Sequence, residues 1–327
     1  MFPKRRMRRL RKRVLQPVFK ETRLAKEELI MPLFFDANAT GPVPIPSMPG
    51  QFRYPVEMAG AIATRIRDAG IRGVLLFGIP KEKDEEASGA YDPEGVIQQA
   101  VRRIRTAAPG IAVITDLCAC EYTIHGHCGI VGETAEGPDL LNDPSLELMG
   151  KIAVSHAESG ADMVAPSSML DGVVGAVRQA LDEAGFSDTP IMSYSSKYAS
   201  SLYGPFREAA DSGYAFGDRS TYQMSPANWQ EAVMESTLDI QEGADVLMVK
   251  PAGFYLDVIA AVSALGIPVA AYQVSGEYAM IRAAAMQGWL DERAVVMESL
   301  IGIKRAGADV IITYFAEEVA GWLDEEQ

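Results

Sequence analysis

The sequence predicts an α/β protein built as a (β/α)8 TIM barrel with an extended N-terminal arm. Three observations carry this prediction: eight short apolar runs, helical stretches between them, and a glycine that ends several of the helices. Strands that alternate with helices favour a parallel sheet, and eight such units in about 290 residues fit a closed barrel. The alternative is an open doubly wound sheet. No Gly-x-Gly-x-x-Gly follows any run to support it.

A repeated phrase indicates that each unit is a helix leading directly into a strand. Glycine supplies the left-handed residue that ends a helix, and the apolar run after it is typical of a strand buried on both faces. The phrase occurs as DAGIRGVLLFG (68–78), ESGADMVAPS (158–167), QEGADVLMVK (241–250) and RAGADVIITYF (305–315). The remaining strands are expected at 29–36, 111–120, 190–197 and 268–276, and helices at 56–69, 94–107, 145–159, 171–184, 226–242, 254–264 and 291–305.

Composition and charge bound the class of protein. Of the 327 residues 48% are hydrophobic and 23% charged, which is typical of a soluble globular protein. No apolar run reaches the roughly 18 residues of a membrane span, and residues 1–13 lack the apolar core of a secretory signal. We therefore expect a cytoplasmic protein with no membrane contact, divided into an arm for subunit contacts (1–28) and a catalytic barrel (29–327).

The arm differs sharply in charge from the rest of the chain. The net charge is −14, yet residues 1–13 carry eight Lys or Arg and no acid. Such an arm can bind nucleic acid, or it can dock on the acidic surface of another copy of the chain. No aromatic or RNA-reading motif accompanies it. We therefore favour docking and expect no nucleic-acid partner.

Two predicted strands end in lysine, at Lys197 and Lys250. The carboxyl ends of barrel strands form the active site, so both side chains are expected at one rim. Free lysine is less than about 0.1% neutral at pH 7, but burial and a second nearby cation lower its pKa and activate it toward ketones. The pair thus predicts a Schiff-base enzyme acting on ketones or aldehydes. A lysine at a strand end can also be a capping or ion-paired surface residue.

All three cysteines lie within eleven residues, as Cys118, Cys120 and Cys128. If 111–120 is a strand, Asp116 and the first two cysteines share one face. Gly126 and Gly129 allow the chain to turn and return the third sulfur. Three thiolates supply three of zinc's four ligands and leave an open catalytic position. The alternatives are a cluster of small buried residues, or a structural site completed by His125 or His127.

Other polar residues cluster near the same rim. Residues 198–223 form a long loop with several Gly and aromatic residues, of the kind that is usually a lid. It contains Arg207 and Arg219, which can bind a carboxylate bidentately or be ordinary solvated arginines. Asp116, Ser167, Ser275 and Tyr314 lie at or near the ends of other strands.

The chain resembles the porphobilinogen synthase (5-aminolevulinate dehydratase) family over nearly its whole length. The matching blocks are DLCACEYTIHGHCG (116–129), SYSSKYASSLYGPFREA (193–209), GDRSTYQ (217–223), MVKPAGFYLD (248–257), YQVSGEYAM (272–280) and KRAGADVIITYF (304–315). The resemblance implies asymmetric condensation of two 5-aminolevulinate molecules to porphobilinogen with loss of two waters. This hydro-lyase reaction is an early step of tetrapyrrole biosynthesis.

The resemblance also implies residue roles. Lys250 would hold the substrate of the propionate side and Lys197 that of the acetate side. The other positions match as follows: Ser275 and Tyr314 bind the first carboxylate; Arg207, Arg219 and Gln223 bind the second; Asp116 and Ser167 lie near the reacting amines; and Cys118, Cys120 and Cys128 hold zinc. Ser168 departs from the family pattern, because several members have aspartate there.

The resemblance further implies a homo-octamer and an allosteric magnesium site at Glu235, although a solvated helix carboxylate is the plain alternative for that residue. Two rival functions remain. A class I aldolase-like barrel needs only one lysine and no thiolate metal site. A non-catalytic zinc protein with a nucleic-acid-binding arm would lose affinity steeply with salt and would not depend on Lys250.

Overall fold

Eight parallel strands form the centre of the fold. A computed structural model describes residues 6–135 and 137–325, without the side chains of residues 6 and 7. Every residue of the first two strands is buried, as expected where helices cover one face and a packed interior the other. The barrel strands are β1 (Leu29–Asp36), β2 (Gly73–Ile79), β3 (Ala112–Leu117), β4 (Met163–Pro166), β5 (Met192–Lys197), β6 (Val246–Lys250), β7 (Val269–Gln273) and β8 (Val310–Thr313).

The strands close into a barrel. Their hydrogen-bonded order is β4-β3-β2-β1-β8-β7-β6-β5. The two ends of this row also meet, because Val164 bridges to Ile191 and its N–H donates to the Pro190 carbonyl at 3.1 Å. The predicted TIM barrel is therefore confirmed, and the open doubly wound sheet is wrong.

The predicted helical stretches are confirmed, and a helix after the last strand is added to them. α2 shows why these segments are helical: its buried positions Ile97, Val101 and Ile104 recur at helical spacing and face the barrel. The helices that follow the strands are α1 (Ala59–Asp68), α2 (Val96–Ala107), α3 (Asn142–Glu158), α4 (Val173–Glu183), α5 (Gln230–Glu242), α6 (Leu256–Ser263), α7 (Glu292–Ala306) and α8 (Ala316–Glu325).

Further short elements lie outside the barrel repeat, and most are near its carboxyl rim. Two small antiparallel pairs occur there, Val43–Pro44 with Phe52–Pro55 and Val131–Thr134 with Gly137–Leu140. The additional helices are Arg6–Leu10, Gly204–Ala209 and Ser275–Met286, with single 3-10 turns at Lys26–Glu28, Val56–Met58, Ser88–Ala90 and Ser201–Tyr203.

Two local predictions about strand ends were wrong. β3 ends at Leu117, where its partner is Pro166. The pairing ends after the Ser167 N–H donates to the Leu117 carbonyl at 3.0 Å, and Cys118 and Cys120 lie in the following loop rather than on a strand face. Ser275 does not end a strand either but begins the helix Ser275–Met286, because the Glu277 carboxylate accepts the Val274 N–H at 2.7 Å and starts the helix.

The N-terminal segment is attached to the barrel near its own end. Lys304 pairs with Glu28 at 2.9 Å, and Lys26 pairs with Asp324 of α8. The predicted basic residues from Arg8 to Arg13 are exposed, whereas residues 1–5, including Lys4 and Arg5, lie outside the described residues. None of the helices in the described part of the chain has the length and apolar character that a bilayer span requires.

Candidate active site

Lys197 and Lys250 lie side by side at the carboxyl rim. They are the last residues of β5 and β6 and are partners in the strand register. Leu247 pairs with Ser193 but Val249 pairs with Ser196, so β5 contains one extra residue. Without this bulge, Lys250 would face Ser196. The bulge thus aligns the two lysines on neighbouring strands about 4.8 Å apart.

Lys250 is enclosed by aromatic rings. Its side chain is only 4% exposed, and its ammonium nitrogen lies 4.4 Å from the Tyr272 ring centre. Burial, together with the charge of Lys197, lowers the pKa of Lys250 to about 7. At neutral pH a large share of this amine is therefore unprotonated. The ring centres within 5.3 Å of its nitrogen belong to Tyr194, Tyr203, Phe206 and Tyr272.

Lys197 has a more polar environment. Its ammonium group donates to the Ser167 carbonyl, and it contacts a single ring, that of Tyr194, at 5.4 Å. The Ser167 hydroxyl donates to Asp116 Oδ2 at 3.0 Å, so these two predicted residues lie together beside the lysine. Burial raises the pKa of Asp116, although the two neighbouring ammonium groups oppose the shift. The Ser168 hydroxyl nearby is buried without a hydrogen-bond partner.

The three cysteines form one buried cluster, although none of them is on a strand. Their sulfur atoms all lie within 4.8 Å of one another, and Cys118 Sγ is 3.2 Å from Cys120 Sγ. Gly126 adopts the left-handed conformation (φ 70°), which gives the turn that returns Cys128 to the cluster. The thiols are free of disulfides.

The pKa values of the three thiols favour the binding of a cation. Hydrogen bonds from Cys118 and Cys120 hold the pKa of Cys128 well below its ordinary value. The same contacts and burial raise the pKa of Cys120, so the cluster resists carrying three negative charges by itself. Three buried sulfurs at these separations fit a thiophilic metal ion such as zinc, whose double positive charge would offset most of their negative charge.

The two histidines of the segment do not join the cysteine cluster. Both ring nitrogens of His127 are hydrogen-bonded. Nδ1 lies 3.1 Å from Tyr222 Oη, and Nε2 lies 3.2 Å from the Phe216 carbonyl oxygen. His125 Nδ1 accepts the backbone N–H of His127 at 3.1 Å. Within the described residues, neither histidine belongs to a group with metal-ligand spacing. The structural three-cysteine site completed by histidine is therefore not supported.

The predicted lid segment lies against the cysteine loop. Arg219 is buried and donates to the Gly126 carbonyl at 2.9 Å, and the Ala215 N–H donates to the His125 carbonyl at 3.0 Å. The segment also retains unused donors. The buried side-chain nitrogens without a hydrogen-bond partner here are Arg207 Nε, Arg219 Nε and Gln223 Nε2. Such donors match the predicted role of binding a carboxylate.

Ser275 and Tyr314 are both buried but have separate partners. The Ser275 hydroxyl accepts the Phe206 N–H at 2.9 Å and donates to the Leu202 carbonyl at 3.3 Å. Tyr314 Oη and Tyr272 Oη are 3.0 Å apart, so Tyr314 is linked to the aromatic enclosure of Lys250. Both predicted residues therefore lie next to segments that surround this lysine.

Comparison with known proteins agrees with this geometry. The family model described as "Delta-aminolevulinic acid dehydratase" matches residues 4–322. The chain belongs to the delta-aminolevulinic acid dehydratase family. Curated relatives with this name include one from Archaeoglobus fulgidus, 56% identical over 98% of both chains, and one from Synechococcus elongatus, 50% identical over 99% of this chain and 100% of that one.

A solved structure of the family is also similar. The delta-aminolevulinic acid dehydratase (porphobilinogen synthase) of Toxoplasma gondii, crystallised with the reaction product porphobilinogen, superposes with a TM-score of 0.95. It is 41% identical, and the match covers 100% of this chain and 93% of that one. Family membership confirms the resemblance, the barrel and the enzyme class that the sequence predicts, a hydro-lyase.

Glu235 lies apart from the lysines and cysteines, on α5. It lines a cavity of about 430 Å³ together with Asp171 and Glu231. Burial, with the charge of Asp239, raises the pKa of Glu235 to about 7. Among the described residues, no group of three ligands with metal spacing includes Glu235. A magnesium ion here would need water or another chain for most of its ligands.

Sequence reasoning missed two features of this delta-aminolevulinic acid dehydratase site. The aromatic residues around Lys250 come from three separate segments of the chain, and in sequence each is indistinguishable from a core residue. Glu121 was also missed, although it directly follows Cys120. It is 3% exposed, and the Cys120 thiol donates to its Oε2 at 3.3 Å. A charged residue inside an otherwise buried cysteine segment was the available signal.

Proposed function

We propose that this chain condenses two molecules of 5-aminolevulinate to porphobilinogen, releasing two water molecules, through Schiff bases on Lys197 and Lys250. The observation that carries the proposal is the bulge-aligned pair of buried lysines at the rim of the barrel. One lysine would suffice for a class I aldolase. A second lysine in register, beside three clustered thiols, favours a reaction that joins two ketone substrates.

Lys250 would form the imine of the propionate-side substrate. With a pKa of about 7, roughly half of this amine is neutral at pH 7, so it can attack the substrate ketone without prior activation. The amine adds to the carbonyl carbon and water leaves as the C=N bond forms. The protonated imine is again a cation, and the surrounding ring faces favour it.

Lys197 would form the second imine, on the acetate-side substrate, in the same way, with loss of the second water. Asp116 and Ser167 lie beside it and would position the substrate amino group by hydrogen bonds. Each imine draws electrons from its neighbouring carbon. The carbon next to the Lys197 imine would then bond to the Lys250-bound imine carbon, and the amino group of the Lys250-bound substrate would add to the Lys197-bound carbon and expel the Lys197 amine. Elimination of the Lys250 amine, with loss of a proton from the adjacent carbon, forms a ring double bond. A final proton loss gives the aromatic pyrrole.

The two substrate carboxylates would be held by different elements. Ser275 and Tyr314 would bind the first, next to Lys250, through their hydroxyl groups. Arg207, Arg219 and Gln223 of the lid segment would bind the second, using the side-chain nitrogens that have no partner in the protein. Fixing both ends of each substrate aligns the reacting carbons.

Zinc would be held by Cys118, Cys120 and Cys128. Their buried, mutually close sulfurs match its preference for thiolate ligands. When bound, the ion supplies Lewis-acid polarisation to the substrate beside Lys197. The protein's own contribution is to hold three sulfurs on a loop fixed by the lid segment.

The test is porphobilinogen formation from 5-aminolevulinate by metal-free and zinc-reconstituted enzyme, alongside Lys250→Ala. We expect product that needs zinc and disappears in the variant. Turnover that does not need zinc would remove the metal from the catalytic scheme. A folded enzyme that makes no product with any metal would favour the aldolase-like alternative.

The assembly and location complete the proposal. Residues 1–28 would act as an arm that docks on another copy within a homo-octamer in the cytoplasm. Leu10, Val14, Val18 and Phe19 support this, since they are exposed apolar residues that contact with another copy would bury. The basic residues of the arm are complementary in charge to the acidic remainder of the chain. Removing residues 1–28 should lower the mass measured by light scattering from that of an octamer to that of a smaller form.

Magnesium at Glu235 would be an allosteric ligand rather than a catalytic one. Magnesium commonly uses one or two carboxylates and several waters, which fits a site with few protein ligands. If the role is correct, magnesium should increase the activity of the zinc enzyme, and Glu235→Gln should remove the increase without lowering basal activity.

A further inference from the structure

The side chains of β5 do not alternate regularly between its two faces. In an undistorted strand successive side chains point to opposite faces, so Tyr194 and Lys197, three residues apart, would face opposite ways. Yet the ammonium nitrogen of Lys197 lies 5.4 Å from the centre of the Tyr194 ring, and that of Lys250 lies 5.0 Å from the same ring. Both residues of β5 therefore face the barrel interior. The extra residue of the bulge has reversed the alternation between them.

Two adjacent serines lie where the alternation reverses. The Ser236 hydroxyl of α5 donates to Ser195 Oγ at 3.2 Å, and Ser236 Oγ is also 3.2 Å from Ser196 Oγ. Consecutive side chains of a regular strand cannot both reach one residue of a helix that covers a single face. Ser195 and Ser196 therefore both face α5, and all three serines are buried. The next residue, Lys197, faces the interior as a result, whereas without the extra residue it would face the helix.

A second hydrogen bond joins the same strand and helix. The Ser193 hydroxyl donates to Asp239 Oδ2 at 2.6 Å, and both residues are buried. Asp239 comes three residues after Ser236, so the two side chains lie on one face of α5. Ser193 precedes the bulge, so its contact fixes the regular part of β5. The contacts of Ser236 are then the ones that hold the bulge itself.

We propose that Ser236 is a positioning residue for Lys197. By holding two consecutive serines on the helix side of β5, it preserves the bulge that directs Lys197 into the barrel and into register with Lys250. Ser236 lies behind the strand, so it acts through Lys197 and not on the substrate. Lys250 does not depend on it in this way, because β6 pairs with β7 without a shift in register. The inference rests on the proposed imine-forming role of Lys197 and deepens it.

The test compares trapping of the two imines in the full-length enzyme. Each protein is mixed with excess 5-aminolevulinate and reduced with borohydride, and the label on Lys197 and on Lys250 is quantified by peptide mass spectrometry. The kcat and the midpoint of thermal unfolding are measured on the same preparations. A residue that only stabilises the fold would change the labelling of both lysines, whereas a positioning residue for Lys197 changes one.

The variants are Ser236→Ala and Ser196→Ala, which remove the two sides of one contact. If Ser236→Ala does not fold, Ser196→Ala gives the same measurement from the strand side. Thr237→Val is the matched control on the same helix. The Thr237 hydroxyl donates to the Val233 carbonyl of its own helix at 2.7 Å, so its removal leaves the contact between α5 and β5 in place.

We expect Ser236→Ala to lower the labelling of Lys197 and kcat about tenfold each, because a small misplacement of a reacting group is enough for such a loss. Labelling of Lys250 should be unchanged, and Thr237→Val should match the unchanged enzyme. Ser196→Ala should have the same effect as Ser236→Ala. The double variant should be no worse than the worse single variant, since both substitutions remove one contact.

Equal loss of label at both lysines, with a lowered unfolding midpoint, would show that Ser236 only stabilises the fold and would overturn the proposal. Full labelling of Lys197 in both serine variants would overturn it too, as would an equal loss in Thr237→Val. The unchanged enzyme reports separately on the proposed function. If it carries no label on Lys197, the two-imine scheme itself is wrong and the positioning role falls with it.

Discussion

The two lysines of the site have the same side chain and neighbouring strand positions, but their surroundings differ. Lys250 contacts four aromatic rings, whereas Lys197 contacts one ring and donates to the Ser167 carbonyl beside Asp116. We call these the aromatic half and the polar half of the site, with the cysteine cluster assigned to the polar half. The difference shows how one enzyme can bind two identical substrate molecules in different roles. Each lysine would form the same kind of imine, but in a different environment.

Removing either lysine is expected to have the largest effect. Lys250→Ala should lower kcat by at least about 10⁴-fold, since no other described group can form that imine. Lys250→Arg should not restore activity, because guanidinium does not lose its proton. Lys197→Ala should also stop product formation but leave imine formation on Lys250 intact. Steady-state kinetics and mass spectrometry of the trapped imine distinguish these outcomes, and equal loss of trapping in both variants would remove the functional difference between the halves.

Removing a thiol should affect the polar half selectively. Cys128→Ser should lower zinc content and reduce kcat by about 10²-fold or more, since the low pKa of this thiol makes it the first to bind a cation. Imine formation on Lys250 should persist. Metal analysis with trapping checks both statements, and loss of the Lys250 imine in this variant would contradict the separation of the halves.

The strand assignments behind this comparison could be predicted because their signals are local. A glycine that ends a helix and an apolar run after it identify four of the eight units without any tertiary information. The position of Cys118 could not be predicted in the same way. β3 stops where Leu117 meets Pro166 of another strand, and that pairing is not visible from the sequence around the cysteine.

The candidate site could be predicted in part for a related reason. Lys197 and Lys250 each end a predicted buried strand, so their location at the rim follows from the barrel topology. Their mutual alignment depends on one extra residue in β5, which the sequence does not mark. The rings of Tyr203, Phe206 and Tyr272 converge only after folding.

The pH dependence of imine formation on Lys250 should distinguish the aromatic half from the polar half further. The pKa of Lys250 is lowered from its ordinary value of about 10.4 to about 7, so its neutral form predominates above pH 7. In Lys197→Arg, which keeps the positive charge beside Lys250 but cannot form an imine, the rate of imine formation should rise about tenfold per pH unit below pH 7 and level off above it. Stopped-flow absorbance measures this rate. A rate that continues to rise to pH 10 would indicate an ordinary lysine.

A smaller effect is expected from the lid. Arg219→Lys should raise KM for 5-aminolevulinate about tenfold, because lysine cannot form the bidentate carboxylate contact. Imine formation on Lys250 should be unchanged, since the arginine serves the second substrate. Exposed Arg102, changed in the same way, is a matched control with no expected effect. A weaker Lys250 imine in Arg219→Lys would assign this residue to the other carboxylate.

The smallest expected effect comes from one ring of the aromatic half. Phe206→Leu should lower kcat about fivefold, corresponding to the roughly 1 kcal/mol by which one ring face stabilises a cation. Phe254→Leu, at a position that is 70% exposed, is the control. Steady-state kinetics compares the two, and an unchanged kcat in Phe206→Leu would show that the ring contributes only packing.

The most direct test of the unequal lysines uses less 5-aminolevulinate than enzyme. The mixture is reduced with borohydride, and the modified lysine is identified by peptide mass spectrometry. The account predicts an adduct on Lys250 in clear excess over Lys197, since burial and the neighbouring charge lower the pKa of Lys250 to about 7 and make roughly half of its amine neutral at pH 7. Equal labelling of the two lysines, or labelling of Lys197 alone, would contradict it.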